Sequence, residues 1–203
     1  MVRKVREGIM LAMALCAALA AAGCKDADVK QVYEAEKLKK SGDHVRAVEL
    51  FSEVASKPNL SEEAEQFIQI NFCQHYGNPE RANDPKVMTR KNMQAVARGC
   101  TDFFRNYPNR TSEGLGPFQT GALWSKLGEY EKAVEAFMLA EDKGFFDPKK
   151  TRVNQKEKEN CVLLYKQIME AGMKMPGEAG KQTMAMAVRG MQSKCHIEVG
   201  VVK

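Results

Sequence analysis

The sequence predicts an all-α chain of eight helices in four antiparallel pairs, at 26–57, 61–107, 111–143 and 150–196. Three observations predict it. Apolar residues recur at helical spacing through most of the chain, clusters of glycine and proline interrupt that spacing, and one ten-residue string occurs twice. Gly42-Asp43-His44-Val45-Arg46-Ala47-Val48-Glu49-Leu50-Phe51 matches Gly128-Glu129-Tyr130-Glu131-Lys132-Ala133-Val134-Glu135-Ala136-Phe137. The match extends outward at fixed offsets, to Ala35 and Gly121, Leu38 and Trp124, and Val54 and Ala140.

In the first pair, Ala35 and Leu38 lead to Gly42, which permits the left-handed conformation that ends a helix. Asp43 puts negative charge where the next helix begins and its macrodipole favours it. Ala47 is small enough for close helix approach, and Phe51 lies one turn further along the same buried stripe. The second pair opens at Ser61-Glu62-Glu63, a helix-start signal, and carries Phe67, Ile70, Cys73 and Gln74 at helical spacing. Gly77-Asn78-Pro79 through Asp84-Pro85 reads as a loop, and the next apolar series runs Met88, Ala95, Val96, Cys100, Phe103 and Phe104 to Tyr107-Pro108. The third pair repeats the first, with Gly121 and Trp124 before Gly128, and Ala133 and Phe137 after it. Past the loop Phe145-Phe146-Asp147-Pro148, a long helix carries Cys161, Leu164, Tyr165 and Ile168. Pro176-Gly177 reverses the chain, and a last helix carries Met184, Val188, Met191 and Cys195. Ile197–Val202 reads as a frayed tail.

The two matched strings and their upstream offsets resemble the tetratricopeptide repeat, a helix–turn–helix unit of about 34 residues. The clear units lie near 28–59 and 114–145, and elsewhere the resemblance is only architectural. It implies a right-handed solenoid of about four antiparallel pairs in which Ala35, Leu38, Gly42, Ala47, Phe51, Gly121, Trp124, Gly128, Ala133 and Phe137 pack the repeats. Family members bind a partner along the neighbouring face of the first helices. Carried over by offset, that face is Val29, Val32, Glu36 and Lys39 in one unit and Leu115, Phe118, Ala122 and Ser125 in the other. The resemblance therefore implies a protein–protein interaction scaffold rather than an enzyme, with another envelope protein or a peptide as partner.

Residues 1–23 read as a processing segment to be set aside before fold reasoning. Arg3, Lys4 and Arg6 precede the uncharged run Ile9–Ala22, which is shorter than the roughly 20 residues a bilayer span requires. Its ending, Ala21-Ala22-Gly23-Cys24, resembles the lipobox of bacterial lipoproteins, although Ala21 stands where leucine is most common. The resemblance implies that Cys24 is acylated and becomes the mature N-terminus of a helical domain at 24–203. It also implies attachment to the cell envelope, with Lys25 after the cysteine favouring the outer membrane, facing the periplasm. Without Arg3, Lys4, Arg6 and Glu7, the 31 basic and 26 acidic residues become 28 and 25. So even a balance, with interspersed signs, argues against a nucleic-acid binder.

The remaining cysteines are Cys73, Cys100, Cys161 and Cys195. An even number in an exported chain suggests two disulfides, and their positions about the helix reversals favour 73–100 and 161–195. Four buried thiols are the alternative. Met169, Met173, Met175, Met184, Met186 and Met191, with Cys195 and His196, make a second functional class conceivable, a copper-handling or redox protein. The stripe Met184, Val188, Met191 and Cys195 reads more simply as core. Cys195-His196 lacks the second cysteine that haem attachment needs, because Gln192 stands there. His75 and Cys73 are two apart and point to different sides of a helix. No zinc-ligand spacing, phosphate loop or nucleophile elbow occurs, so no metal, cofactor or catalytic residue is expected.

Overall fold

Short capping motifs set the helix boundaries in the computed structural model, which describes residues 27–57, 60–77, 81, 83–106 and 114–197. The segment 1–23 and Cys24 lie outside the described residues, as does most of Ile197–Val202. Eight helices are present among the described residues, and no strand. They are α1 (27–40), α2 (His44–Ala55), α3 (Glu62–Ile70), α4 (Arg90–Asn106), α5 (Leu115–Leu127), α6 (Tyr130–Asp142), α7 (Gln155–Lys174) and α8 (Gly177–Ser193). The chain is thus all-α.

The twice-occurring string makes the same turn twice. Gly42 has φ +88° and Gly128 φ +83°, a left-handed backbone that costs glycine nothing. The Asp43 N–H donates to the Leu38 carbonyl at 2.9 Å and the Gly42 N–H to that of Lys39 at 3.1 Å. Between α5 and α6 the Glu129 N–H donates to Trp124 at 3.0 Å and the Gly128 N–H to Ser125 at 3.1 Å. Both are Schellman closures, which satisfy the last carbonyls of the first helix. The second helix of each pair starts differently. The Asp43 carboxylate accepts from the Arg46 N–H at 3.2 Å, whereas Glu129 makes no side-chain cap and pairs with Lys132 at 3.0 Å.

Ser61 accepts from the Ala64 N–H at 3.2 Å and so caps α3. From Asn71 to Tyr76 the helix widens into a π-helical stretch that includes Cys73. Asn154 starts α7 by accepting from the N–H groups of Lys156 and Glu157 at 3.0 and 3.3 Å.

Internal contacts divide the chain into two units, one ending at Ile68 and one beginning at Gln69, within the stretch the sequence reads as one helical domain. In the first unit, Lys57 after α2 bonds to Asp28 at the start of α1 at 3.0 Å, so the two helices run antiparallel. Its buried apolar side chains are Val32, Ala35, Ala47, Val48, Phe51, Val54, Ala64 and Ile68. In the second unit each helix packs chiefly on its neighbours in sequence, with a lesser contact between α5 and α7. Gly114 lies against Ala140, Gly121 against Phe137, and Trp124 under Lys132, so α5 and α6 are antiparallel. The same holds for α7 and α8, where Tyr165 meets Gly190 and Gly172 meets Thr183.

Candidate interaction surfaces

The hairpin of α5 and α6 is built on one close approach. A Cβ on Gly121 would stand 2.5 Å from the Phe137 ring, so a side chain there would displace the aromatic from its seat. Trp124, Ala133 and Phe137 are buried beside it. At the matching places in the first unit, Ala35, Ala47 and Phe51 are buried and Leu38 is half-buried.

The face of α5 that carries Leu115, Phe118, Ala122 and Ser125 borders this packing, with the Phe118 ring 5.5 Å from that of Phe137. Leu115 is 50% exposed, and the other three are half-buried. Phe118 stacks on Phe145, with centroids 4.3 Å apart and planes 10° from parallel. The Phe145 carbonyl accepts from Asn160 on α7 at 3.4 Å. One turn beyond Asn160, on the same side of α7, stands Leu163, also exposed at 42%. Leu115, the Phe118–Phe145 stack and Leu163 thus put apolar surface on two first helices of the second unit.

In the first unit the corresponding stripe is not a free face, and the expectation of an exposed Val32 is corrected. Val32 is 1% exposed and belongs to the core. Asp28, Val32 and Ala35 recur at i, i+4 and i+7, and the Lys57–Asp28 bond turns that stripe inward. Val29 is half-buried, and Glu36 pairs with Lys39 at 2.6 Å and Lys40 at 3.6 Å. The exposed aromatic is the next residue, Tyr33, which rests on Phe67 at 5.5 Å and donates to Glu63 at 3.3 Å.

A cavity of about 490 Å³ opens on the other side of α5, between α4 and α6. One wall is Arg98, Thr101, Asp102 and Arg105 of α4, at i, i+3, i+4 and i+7. The other is Lys132, Glu135, Ala136 and Leu139 of α6, at the same spacing. Thr120, Trp124 and Phe104 form the floor. The indole N–H donates to the Thr101 hydroxyl at 3.1 Å, and that hydroxyl donates to the Ala97 carbonyl at 2.8 Å. Thr120 donates to Gly116 at 3.0 Å. Lys132 sits 4.8 Å above the Trp124 ring, a cation–π contact, and Arg105 pairs with Asp102 at 3.6 Å. Sequence reasoning missed this cleft. Its one signal was charged residues at helical spacing on two helices, Arg98, Asp102 and Arg105 on one and Lys132 and Glu135 on the other.

Cys161 and Cys195 are disulfide-bonded across the α7–α8 hairpin. The favoured 73–100 bridge is corrected: Cys73 and Cys100 are buried thiols. The π-helical stretch that carries Cys73 leaves its thiol beside that of Cys100, close enough to hydrogen-bond but with no S–S bond between them. Burial, and a hydrogen bond with Cys100, push the Cys73 thiol well above the usual range, so it stays protonated. Two groups of the copper alternative are already engaged. Cys195 is oxidised, and His196 accepts from Arg152 at 3.1 Å. Among the described residues no three His, Cys, Asp or Glu side chains gather as a metal site, and no helix is long and apolar enough to cross a membrane.

No protein-family model, no curated protein and no solved structure matches the chain.

Proposed function

We propose that this protein is a lipid-anchored, periplasm-facing interaction scaffold of the bacterial envelope. Its hairpins form a tetratricopeptide-like solenoid, and its first-helix face holds another envelope protein or an extended peptide, in envelope assembly or maintenance. Neighbour-to-neighbour packing with an α5–α7 contact in the second unit supports the solenoid reading, because stacked helix pairs touch their sequence neighbours above all. The lipobox-like ending at Cys24 supports the anchor.

One observation carries the binding face: the apolar surface formed by Leu115, the Phe118–Phe145 stack and Leu163. Fully burying such a side chain contributes roughly 1.5–3 kcal/mol, and these are about half covered already. A partner segment laid along α5 and α7 would gain the remainder from several of them together, before the cost of association.

Photo-cross-linking in intact cells tests the reading. A photoreactive residue at Leu115 or Leu163 is expected to give a discrete protein adduct that Phe118→Glu weakens. The same probe at Val153, 87% exposed in the loop before α7, is the control and is expected to give none. Equal adducts from all three positions, or none from Leu115 and Leu163, would sink the proposal.

A further inference from the structure

We infer that the cleft between α4, α5 and α6 is a second binding site, made for an acidic peptide segment bearing an apolar side chain. It lies on the far side of α5 from the surface proposed above. At 100° per residue, Thr120 and Trp124 point about 180° and 140° away from the centre of the Leu115, Phe118, Ala122 and Ser125 stripe.

Charge placement chooses the ligand. Trp124 is bonded to Thr101, and Arg98 stands one turn earlier on the same face of α4, so Arg98 belongs to the Trp124 end of the cleft. Lys132 comes to that end from the opposite wall, over the indole ring. Two cations from two helices therefore flank one aromatic surface. The other charges of the lining, Asp102, Arg105 and Glu135, lie further along the walls, where Arg105 meets Asp102 on its own helix at 3.6 Å, whereas Arg98 has no ion pair among the described residues. The bridge from Lys132 to Glu129 is an exposed i,i+3 pair, a kind worth little and readily exchanged for another carboxylate. A ligand carboxylate at this end meets a guanidinium able to take it by two parallel hydrogen bonds.

Further along, Phe104, Ala136 and Leu139 leave an apolar interior for a side chain next to that carboxylate. Each wall spans two helical turns, about 10 Å at 1.5 Å per residue, the length of about three extended residues. The apolar interior and the near-even charge of the chain set this cleft apart from the open cationic track that nucleic acid requires.

Trp124 is the protein's single tryptophan, so selectively excited tryptophan emission reports on the cleft alone. The full chain in detergent is titrated with a short peptide of alternating Leu and Glu, its Leu/Lys counterpart, an oligonucleotide and anionic vesicles. The Leu/Glu peptide is expected to change Trp124 emission saturably. Arg98→Glu and Lys132→Glu, both on exposed side chains, are expected to weaken it about tenfold each, with the helical circular dichroism unchanged. Equal binding of the Leu/Lys peptide overturns the inference, as does a titration that neither variant alters. A larger emission change with the oligonucleotide or the vesicles also overturns it. Peptide binding seen by anisotropy without a change in Trp124 emission overturns the cleft as the site, yet leaves the surface at Leu115 and Leu163 standing, since that reading is tested by its own adducts.

Discussion

Tyr165 carries the most informative single contact in the second unit. Its hydroxyl donates to Glu141 of α6 at 2.6 Å, and the other oxygen of that carboxylate receives Lys194 from the end of α8. The Glu141 carboxylate on α6 thereby joins three elements. Burial first, and the adjoining carboxylate second, push ionisation of the phenol far above its ordinary range. The folded state therefore holds the proton more tightly than the unfolded one. The stabilisation is fully present below about pH 10, where an unfolded tyrosine ionises, and is lost as pH rises beyond it. Tyr165→Phe is expected to cost about 1.5–3 kcal/mol at neutral pH, the range for a hydrogen bond to a charged group. Because phenylalanine has no proton to lose, the gap between the two proteins should close by about 1.4 kcal/mol per pH unit above pH 10. Urea midpoints of both proteins at pH 8 and pH 11 measure it. A gap that does not change with pH would refute the assignment.

At the scale of elements, the α7–α8 hairpin holds the disulfide, whose ends are 34 residues apart. Closing a loop of that length removes unfolded-state entropy worth about 4 kcal/mol, less any strain. Reduction of the wild-type protein, or the pair Cys161→Ser and Cys195→Ser, should lower stability by about 3–4 kcal/mol in urea unfolding. Reductant should then leave that double variant unchanged, because Cys73 and Cys100 are already thiols. A remaining shift on reduction would reveal a second bridge. This hairpin was legible in the sequence, since Pro176-Gly177 fixes the reversal and the two cysteines stand at nearly equal distances from it. The turn at Gly128 was legible for the same kind of reason: one residue type suits one backbone conformation. The π-helical stretch was not, because Phe67, Ile70 and Cys73 with Gln74 satisfy a 3.6-residue period as well as a locally widened one. Nor could the sequence decide between Val32 and Tyr33 as the exposed position. Neighbouring residues differ by 100° about the helix, and the stripe that turns inward is the one whose Asp28 meets Lys57, 29 residues away.

For the whole molecule, the all-α class follows from local pattern, while the cleft depends on three helices meeting. Arg98, Asp102, Arg105, Lys132 and Glu135 each read as a solvated surface charge, and only the packing of α4 and α6 against Trp124 puts them around one cavity. Anchoring depends on a different part of the chain. If Cys24 is acylated, each buried methylene adds about 0.8 kcal/mol of membrane attachment, and two or more chains hold the protein stably. No described helix offers an alternative, since none is long and apolar enough to span a bilayer. The natural chain should therefore incorporate labelled palmitate and leave membranes only in detergent. A chain given an ordinary secretory leader together with Cys24→Ser should take up no label and appear in the soluble fraction, with its helical circular dichroism intact. Changing the leader along with the cysteine matters, because an uncleaved apolar leader would itself retain the chain at the membrane. Equal membrane retention of this unlabelled variant would show that some surface of the folded protein, and not an acyl group on Cys24, makes the attachment.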